Sequence, residues 1–191
     1  MRWRRVEVSP GFFLLAAWLN YVDSQGMLWG IMISCVLHEL GHLAVLSLLR
    51  VPVKQIRITA IGAEICVGRE MSYRGELLTV LMGPAVNFAL AALLSRVPGG
   101  SMLAGMNLAL GCFNLFPVGR LDGGRALRCL LGLTVGAQLG ERLMQCFSYV
   151  SVFVLCAAGC CLLRFGGNLT LLLAAGWLCL TVSYNGGKRK N

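Results

Sequence analysis

The residues best suited to chemistry are two histidines inside an apolar stretch. The segment His38-Glu39-Leu40-Gly41-His42 has the HExxH spacing. On a helix, positions i and i+4 differ by about 40° in direction and about 6 Å in rise. Both imidazoles therefore face the same side and can bind one zinc ion. Glu39 lies beside them and can act as the general base of a hydrolytic reaction.

This histidine pair is a specific signal because the chain contains only two histidines. Histidine and glutamate near the middle of a membrane are costly and are usually functional. The alternative is a polar cluster that packs helices together without a metal. The rarity of unpaired charge inside membranes favours the metal site over that alternative.

A catalytic zinc site uses a third protein ligand besides two histidines. Six of the eight acidic residues fall at predicted span ends or in loops, and Glu39 serves as the base. The remaining acid is Asp122, which follows a stretch where Pro117 and Gly119 interrupt an apolar run. Such breaks open a cavity that water can reach, so Asp122 is the best third ligand by elimination. The alternative is that Asp122 caps a helix beginning near Gly123.

The composition is typical of a membrane protein. Of the 191 residues, 57% are hydrophobic and 13% are charged, whereas soluble domains contain about 45–50% apolar and about 25% charged residues. An ordinary soluble domain and a disordered chain are both excluded. The net charge of +9 would suggest nucleic acid for a soluble protein. Here we expect no nucleic acid, and instead contact with anionic lipid at the cytosolic face.

Apolar stretches of about 20 residues predict membrane-spanning helices. We expect an all-α polytopic membrane protein with about six transmembrane helices and a small β-hairpin between the second and third. The predicted spans are roughly Val6–Val22, Met27–Leu49, Leu77–Ser95, a broken segment from Met102 through Phe116 to Val135, Leu143–Leu163 and Asn168–Tyr184. Residues 1–191 then form a single integral membrane domain, with a catalytic core at about 27–133 and accessory C-terminal spans at about 139–184.

The basic residues test this topology. If both termini lie in the cytosol, fifteen of the seventeen lysines and arginines fall in cytosolic segments, and only Arg96 and Arg164 fall outside. Lysine and arginine concentrate in the cytosolic segments of membrane proteins. The distribution therefore predicts that both termini are cytosolic.

The linker between the second and third spans alternates in polarity. Ile56 and Ile58 alternate with Arg57 and Thr59, and a second alternation follows Gly62. Such alternation predicts a β-hairpin over residues 53–67 at the cytosolic face. The alternative is an ordinary amphipathic loop. The edge of such a hairpin can accept an extended peptide segment as an added strand.

Three motifs together resemble a known family. They are HELGH at 38–42, GPAVN at 83–87 and NLFPVGRLDGG at 114–124. Over roughly residues 27–133 the sequence resembles the site-2 proteases, which are intramembrane metalloproteases. The resemblance implies one zinc ion per chain. The implied residues are His38, His42 and Asp122 as metal ligands, Glu39 as the catalytic base, and Asn114 and Asn87 as substrate-positioning residues.

The resemblance also implies an activity and a setting. It implies hydrolysis of a peptide bond in a membrane-tethered protein near the cytosolic face of the bacterial cell membrane. Six spans without an inserted domain look like the sporulation-type branch, which cleaves a sigma-factor precursor, and regulatory membrane proteins are further expected partners. Only Asn185–Asn191 follow the last span, so we expect no CBS domain, and the linker after the second span is too short for a PDZ domain.

Two other classes of function fit parts of the sequence. A catalytically inactive relative that binds a membrane helix and regulates another protease would not need Glu39 beside the metal ligands. A metal transporter fits less well, because only one cluster of metal ligands is visible. The complete ligand set with the base in place favours a zinc metalloendopeptidase.

Overall fold

The computed structural model describes residues 6–23, 26–59, 62–119, 121–164, 175–176 and 178–179. Within these ranges the chain is mostly helical and carries one small sheet. The helices are α1 (Pro10–Val22), α2 (Met27–Leu48), α3 (Tyr73–Leu94), α4 (Ser101–Asn114), α5 (Asp122–Thr134) and α6 (Ala137–Arg164). The strands are β1 (Val6–Val8), β2 (Val53–Thr59) and β3 (Gly62–Val67).

The chain divides into two compact units, Met1–Cys112 and Phe113–Asn191. The first contains the sheet, α1 to α3 and most of α4, and the second contains α5 and α6. The arrangement of residues 1–191 as one integral membrane domain stays a prediction.

Three of the described helices are long and apolar enough to cross a membrane. They are α2, α3 and the stretch Ala137–Cys161 of α6, with 22, 22 and 25 residues, and a bilayer core needs about 20. Together with the small sheet, they confirm the predicted class of helical membrane protein. The predicted sixth span, Asn168–Tyr184, lies almost wholly outside the described residues, so the count of six spans stays a prediction.

The first predicted span is wrong at its beginning. Residues Val6–Val8 form a strand, and α1 starts only after Ser9, whose hydroxyl oxygen accepts a hydrogen bond from the Gly11 amide at 3.3 Å. Pro10 follows at the first helical position, where its missing N–H costs nothing. The helix has 13 residues and rises about 20 Å, which is less than the bilayer core of about 30 Å.

The predicted hairpin is present as the antiparallel pair β2–β3, with Ile56 opposite Ile65. Its bend, residues 60–61, lies outside the described residues. Strand β1 adds to β2 in parallel, with Val6 opposite Ile56, which gives the order β1-β2-β3. The predicted hairpin is therefore part of a three-stranded sheet. Because β2 is paired on both sides, the open edge of the described hairpin belongs to β3.

The sheet is attached to the end of α2 that carries the histidines. Leu43 and Leu46 of that helix pack against Val51, Val53 and Ile56 in the apolar core of the first unit. Burying these side chains fixes the last turns of α2 relative to the sheet.

Helices α2 and α3 approach each other closely at Gly41. A Cβ atom there would lie only 3.0 Å from the Met82 carbonyl oxygen and 2.9 Å from a methyl carbon of Val86. The glycine of the HELGH motif thus brings the backbone of α3 next to the histidine pair.

The fourth apolar segment is broken, as the sequence predicted. Helix α4 ends at Asn114 and α5 begins at Asp122. The intervening turn folds back on the start of α5, where a Cβ atom on Gly123 would lie 1.9 Å from the Leu115 carbonyl oxygen. Val118 and Leu121 then join Val152 in the apolar core of the second unit.

Candidate metal centre

The two histidines lie side by side in the interior of the first unit. His38 is 5% exposed and His42 is 6% exposed. Their ring centroids are 4.8 Å apart with the ring planes at 85°, and their Nε2 atoms are 3.2 Å apart. His42 lies six residues before the end of α2, which corresponds to about 9 Å along the helix. Helical spacing therefore brings the two rings together as the HExxH pattern predicted.

A backbone carbonyl sets the protonation of His42. Its Nδ1–H donates to the carbonyl oxygen of Thr79 on α3 at 2.7 Å. A carbonyl oxygen can only accept, so the proton lies on Nδ1 and Nε2 carries the lone pair. Metal-binding histidines usually have this second contact, which fixes the ring and its tautomer.

An amide side chain sets which nitrogen of His38 carries the proton. Its Nδ1 is 2.5 Å from the Asn87 side-chain oxygen. The nitrogen of the Asn87 amide donates instead to the side-chain oxygen of Asn107 at 3.1 Å. His38 therefore donates from Nδ1, and its Nε2 also carries a lone pair.

The two lone pairs suit a cation. Two buried acceptor nitrogens facing each other across 3.2 Å repel one another unless a proton or a metal cation lies between them. Two ligands of a tetrahedral zinc ion, each with a Zn–N distance of about 2.0–2.1 Å, are about 3.3 Å apart. The distance and the tautomers of His38 and His42 therefore fit a zinc ion.

Gly83 keeps the space beside these nitrogens open. A Cβ atom on Gly83 would lie 2.4 Å from Nε2 of His42 and 2.6 Å from Nε2 of His38. Any side chain there would occupy the space that a metal needs. The glycine of the GPAVN motif thus lines the space that the two Nε2 atoms face.

The other predicted site residues lie on three helices. Glu39 is partly buried on α2, and Asn114 is the partly buried last residue of α4. Asn87 is completely buried, and its amide contacts His38 and Asn107. The predicted contacts of Asn87 and Asn114 with substrate stay predictions.

Asp122 is the first residue of α5 and is 8% exposed. The N-cap of this helix is Leu121, one residue earlier than the alternative of a cap at Asp122 placed it. All eight acidic residues lie in the described part of the chain, and Asp122 is the only buried one. Burial of a carboxylate requires a cation or hydrogen-bond donors close to it.

Sequence reasoning missed Asn107, Ser34 and Thr79. Asn107 had a visible signal, because it is an amide inside the apolar run of α4 and polar residues in spans are usually functional. Ser34 gives a weaker sequence signal, because a serine inside a helix can satisfy its hydroxyl by a hydrogen bond to a carbonyl of its own helix. Thr79 contributes its backbone carbonyl, which any residue type provides, so no sequence signal existed.

The chain is similar to known proteins in sequence and in fold. The sequence profile of Peptidase family M50 matches residues 100–158. A zinc metalloprotease of Methanocaldococcus jannaschii is 31% identical over 131 residues, which is 60% of this chain and 38% of the relative. A relative from Synechocystis sp. is 31% identical over 164 residues, 77% of this chain and 43% of the relative. The chain thus spans about two fifths of the length of these curated relatives.

A solved structure extends the similarity to nearly the whole chain. The site-2 protease from Methanocaldococcus jannaschii superposes with a TM-score of 0.68 at 25% sequence identity, covering 94% of this chain and 89% of that chain. Together with the M50 match and the zinc metalloprotease relatives, this similarity supports the site-2 proteases as the family of this chain.

Proposed function

We propose that this protein is an intramembrane zinc metalloendopeptidase that hydrolyses a peptide bond in a membrane-associated protein near the cytosolic face. One observation carries the proposal. Two buried imidazoles in an apolar helix direct their Nδ1 protons away and their Nε2 lone pairs toward each other across 3.2 Å. This arrangement suits a divalent cation, and a relative is named as a zinc metalloprotease.

The proposed metal ligands are His38, His42 and Asp122, with one zinc ion per chain. Each is buried and offers a nitrogen or oxygen atom of the kind that zinc binds. Asp122 is favoured because it is the one buried acid among residues that the structure describes. Bound zinc supplies a Lewis acid that polarises a carbonyl group and lowers the pKa of a water molecule toward about 7.

Glu39 is the proposed general base. It lies on the same helix as the histidines and is only partly buried, so its carboxylate can exchange protons with water. It takes a proton from the attacking water and then gives it to the leaving amine, which completes hydrolysis of the peptide bond. Thr79 and Asn87 hold the imidazoles in the required tautomer during this reaction.

The proposed substrate is a membrane-tethered protein that unwinds against the open edge of β3. Backbone groups on an edge strand can pair with an extended segment, and β3 is the edge of the described hairpin. The sporulation-type resemblance favours a sigma-factor precursor as the substrate and adds regulatory membrane proteins as partners.

The proposed setting is the bacterial cell membrane, in a multi-pass orientation with both termini in the cytosol. Exposed basic residues on and around the sheet support contact with anionic lipid headgroups on that side. These residues are Arg50, Lys54, Arg57, Arg69 and Arg74.

Replacing Glu39 by glutamine tests the catalytic role. The variant keeps the size of the side chain but removes the base, so zinc should remain bound. Cleavage of a co-expressed membrane substrate, with helix-weakening residues near its cytosolic edge, should fall by about 10²–10⁴-fold. The matched control is Glu70→Gln, which makes the same change at an exposed loop position and should cleave like wild type.

His38→Ala should lose both zinc and cleavage. Equal processing by wild type and Glu39→Gln, or equal effects of both on a bound partner, would reject the protease. The inactive, regulatory membrane-binding protein would then take its place.

A further inference from the structure

A chain of hydrogen bonds continues behind the histidine pair to two residues that the proposed reaction does not use. These are Asn107 on α4 and Ser34 on α2, which are 1% and 5% exposed. Asn107 accepts a hydrogen bond from Asn87, and its own nitrogen donates to the Ser34 hydroxyl oxygen at 3.0 Å. Side chains from three helices thus form one continuous relay of hydrogen bonds.

Backbone carbonyls fix the direction of every bond in this relay. The Asn107 nitrogen donates to the Leu103 carbonyl at 2.9 Å, and the Ser34 hydroxyl donates to the Gly30 carbonyl at 2.8 Å. Both carbonyls can only accept. The Ser34 hydroxyl has given its proton to Gly30 and can only accept from Asn107. Asn107 must therefore turn its NH₂ group toward the Leu103 carbonyl and the Ser34 hydroxyl oxygen, and its own oxygen toward Asn87. That oxygen in turn requires the NH₂ group of Asn87, whose own oxygen then faces His38.

The anchored direction decides which nitrogen of His38 carries the proton. With its oxygen toward His38, Asn87 accepts from Nδ1–H and leaves Nε2 unprotonated. If the Asn87 amide turned over, its NH₂ group would face His38, and the ring proton would move to Nε2. A protonated Nε2 cannot bind a metal, because a ligand nitrogen must offer its lone pair.

We infer that Asn107 is a positioning residue for the metal site, anchored by Leu103 and Ser34, which acts through Asn87 to hold His38 in its metal-binding tautomer. This inference rests on the proposed metal-binding function. Removing Asn107 leaves the Asn87 amide free to turn over, so part of the protein carries the wrong His38 tautomer. Loss of an outer-shell partner typically weakens metal binding by about 10–100-fold. Asn107 contacts His38 only through Asn87. We therefore expect Asn107→Leu to weaken zinc binding by about tenfold, the lower limit of that range.

The tautomer can be observed directly because the chain has only two histidines. Full-length protein labelled with ¹⁵N-histidine has four ring nitrogens, and their chemical shifts separate protonated from unprotonated sites. In metal-free wild-type protein, both histidines should carry the proton on Nδ1. In Asn107→Leu, the His38 signals should shift toward the Nε2–H form while His42, held by Thr79, stays unchanged.

Zinc affinity, measured by competition with a chelator, gives the second readout. The control is Ser148→Ala, which removes a buried hydroxyl that bonds to the Met144 carbonyl of its own helix and should change neither readout. The rescue is Asn87→Asp with Asn107→Leu. A carboxylate offers oxygen in either orientation, so this double variant should regain the His38 tautomer and most of the affinity.

A tautomer shift with weaker zinc binding in Asn107→Leu, and recovery in the double variant, supports the inference. The inference is overturned if Asn107→Leu shows the same tautomers and zinc affinity as Ser148→Ala. It is also overturned if Asn107→Leu binds zinc more weakly without a change in the His38 tautomer, or if the double variant does not recover. If Asn107→Leu fails to fold, the smaller Asn107→Ala takes the same tests. If the wild type binds no zinc, the proposed function fails, while the metal-free tautomers still decide the role of Asn107.

Discussion

Replacing Gly83 by alanine places one methyl group in the space that the two Nε2 atoms face. Its carbon would lie 2.4 Å from His42 Nε2 and 2.6 Å from His38 Nε2. A zinc ion needs about 2.0–2.1 Å to each nitrogen, so the methyl group and the metal compete for nearly the same position. Relief by a shift of α3 would also displace Thr79 and Asn87, which hold the two rings.

The expected loss of zinc affinity is therefore large. Changes to residues that only support metal ligands cost about 10–100-fold. Alanine at Gly83 removes the room for the ion itself, so we expect at least about 100-fold, or about 2.8 kcal/mol. The assay is zinc content after purification in detergent, followed by competition with a chromophoric chelator. Substrate cleavage should fall in parallel.

Gly105→Ala provides the matched control. Gly105 is an exposed glycine of α4, and a Cβ atom there would meet nothing within 4 Å. This variant should bind zinc like wild type. Zinc affinity in Gly83→Ala equal to that of Gly105→Ala would refute the reasoning, because the space between the nitrogens would then not be where the metal binds.

Two further predictions concern the third ligand and the topology. Asp122→Ala should lower the zinc content of purified protein, because two imidazoles alone hold the ion poorly; wild-type content would mean that another residue is the third ligand. Reporter fusions at Arg2 and Asn191 should both read cytosolic, because lysines and arginines concentrate on that side. An external N-terminus with a cytosolic C-terminus would show that Pro10–Val22 does not cross the membrane.

The features predicted correctly are those that depend on neighbouring residues. The spacing of His38 and His42 needs only helical geometry to bring two rings together. Alternation over residues 53–67 needs only the two-residue period of a strand. The break between α4 and α5 follows from Pro117 and the glycines around it, which cannot continue a regular helix.

The features that were missed depend on distant partners. Strand β1 has three residues, and its pairing with β2 is set by a segment about fifty positions further along the chain. Its sequence, Val6-Glu7-Val8, is too short to show a period. The role of Gly83 depends on how closely α3 approaches α2. A glycine in an apolar sequence does not reveal that distance.

The ring of hydrogen bonds among α2, α3 and α4 has a consequence for how the protein is made. His38 joins α2 to α3, Asn87 joins α3 to α4, and Asn107 joins α4 back to Ser34 on α2. In lipid, where apolar faces give helices no preference for one another, each such bond is worth about 0.6 kcal/mol and also selects the neighbour. Every group in the ring comes from the first 107 residues. During synthesis the three helices can therefore associate, and both imidazoles can be oriented, while Asp122 is still inside the ribosomal exit tunnel.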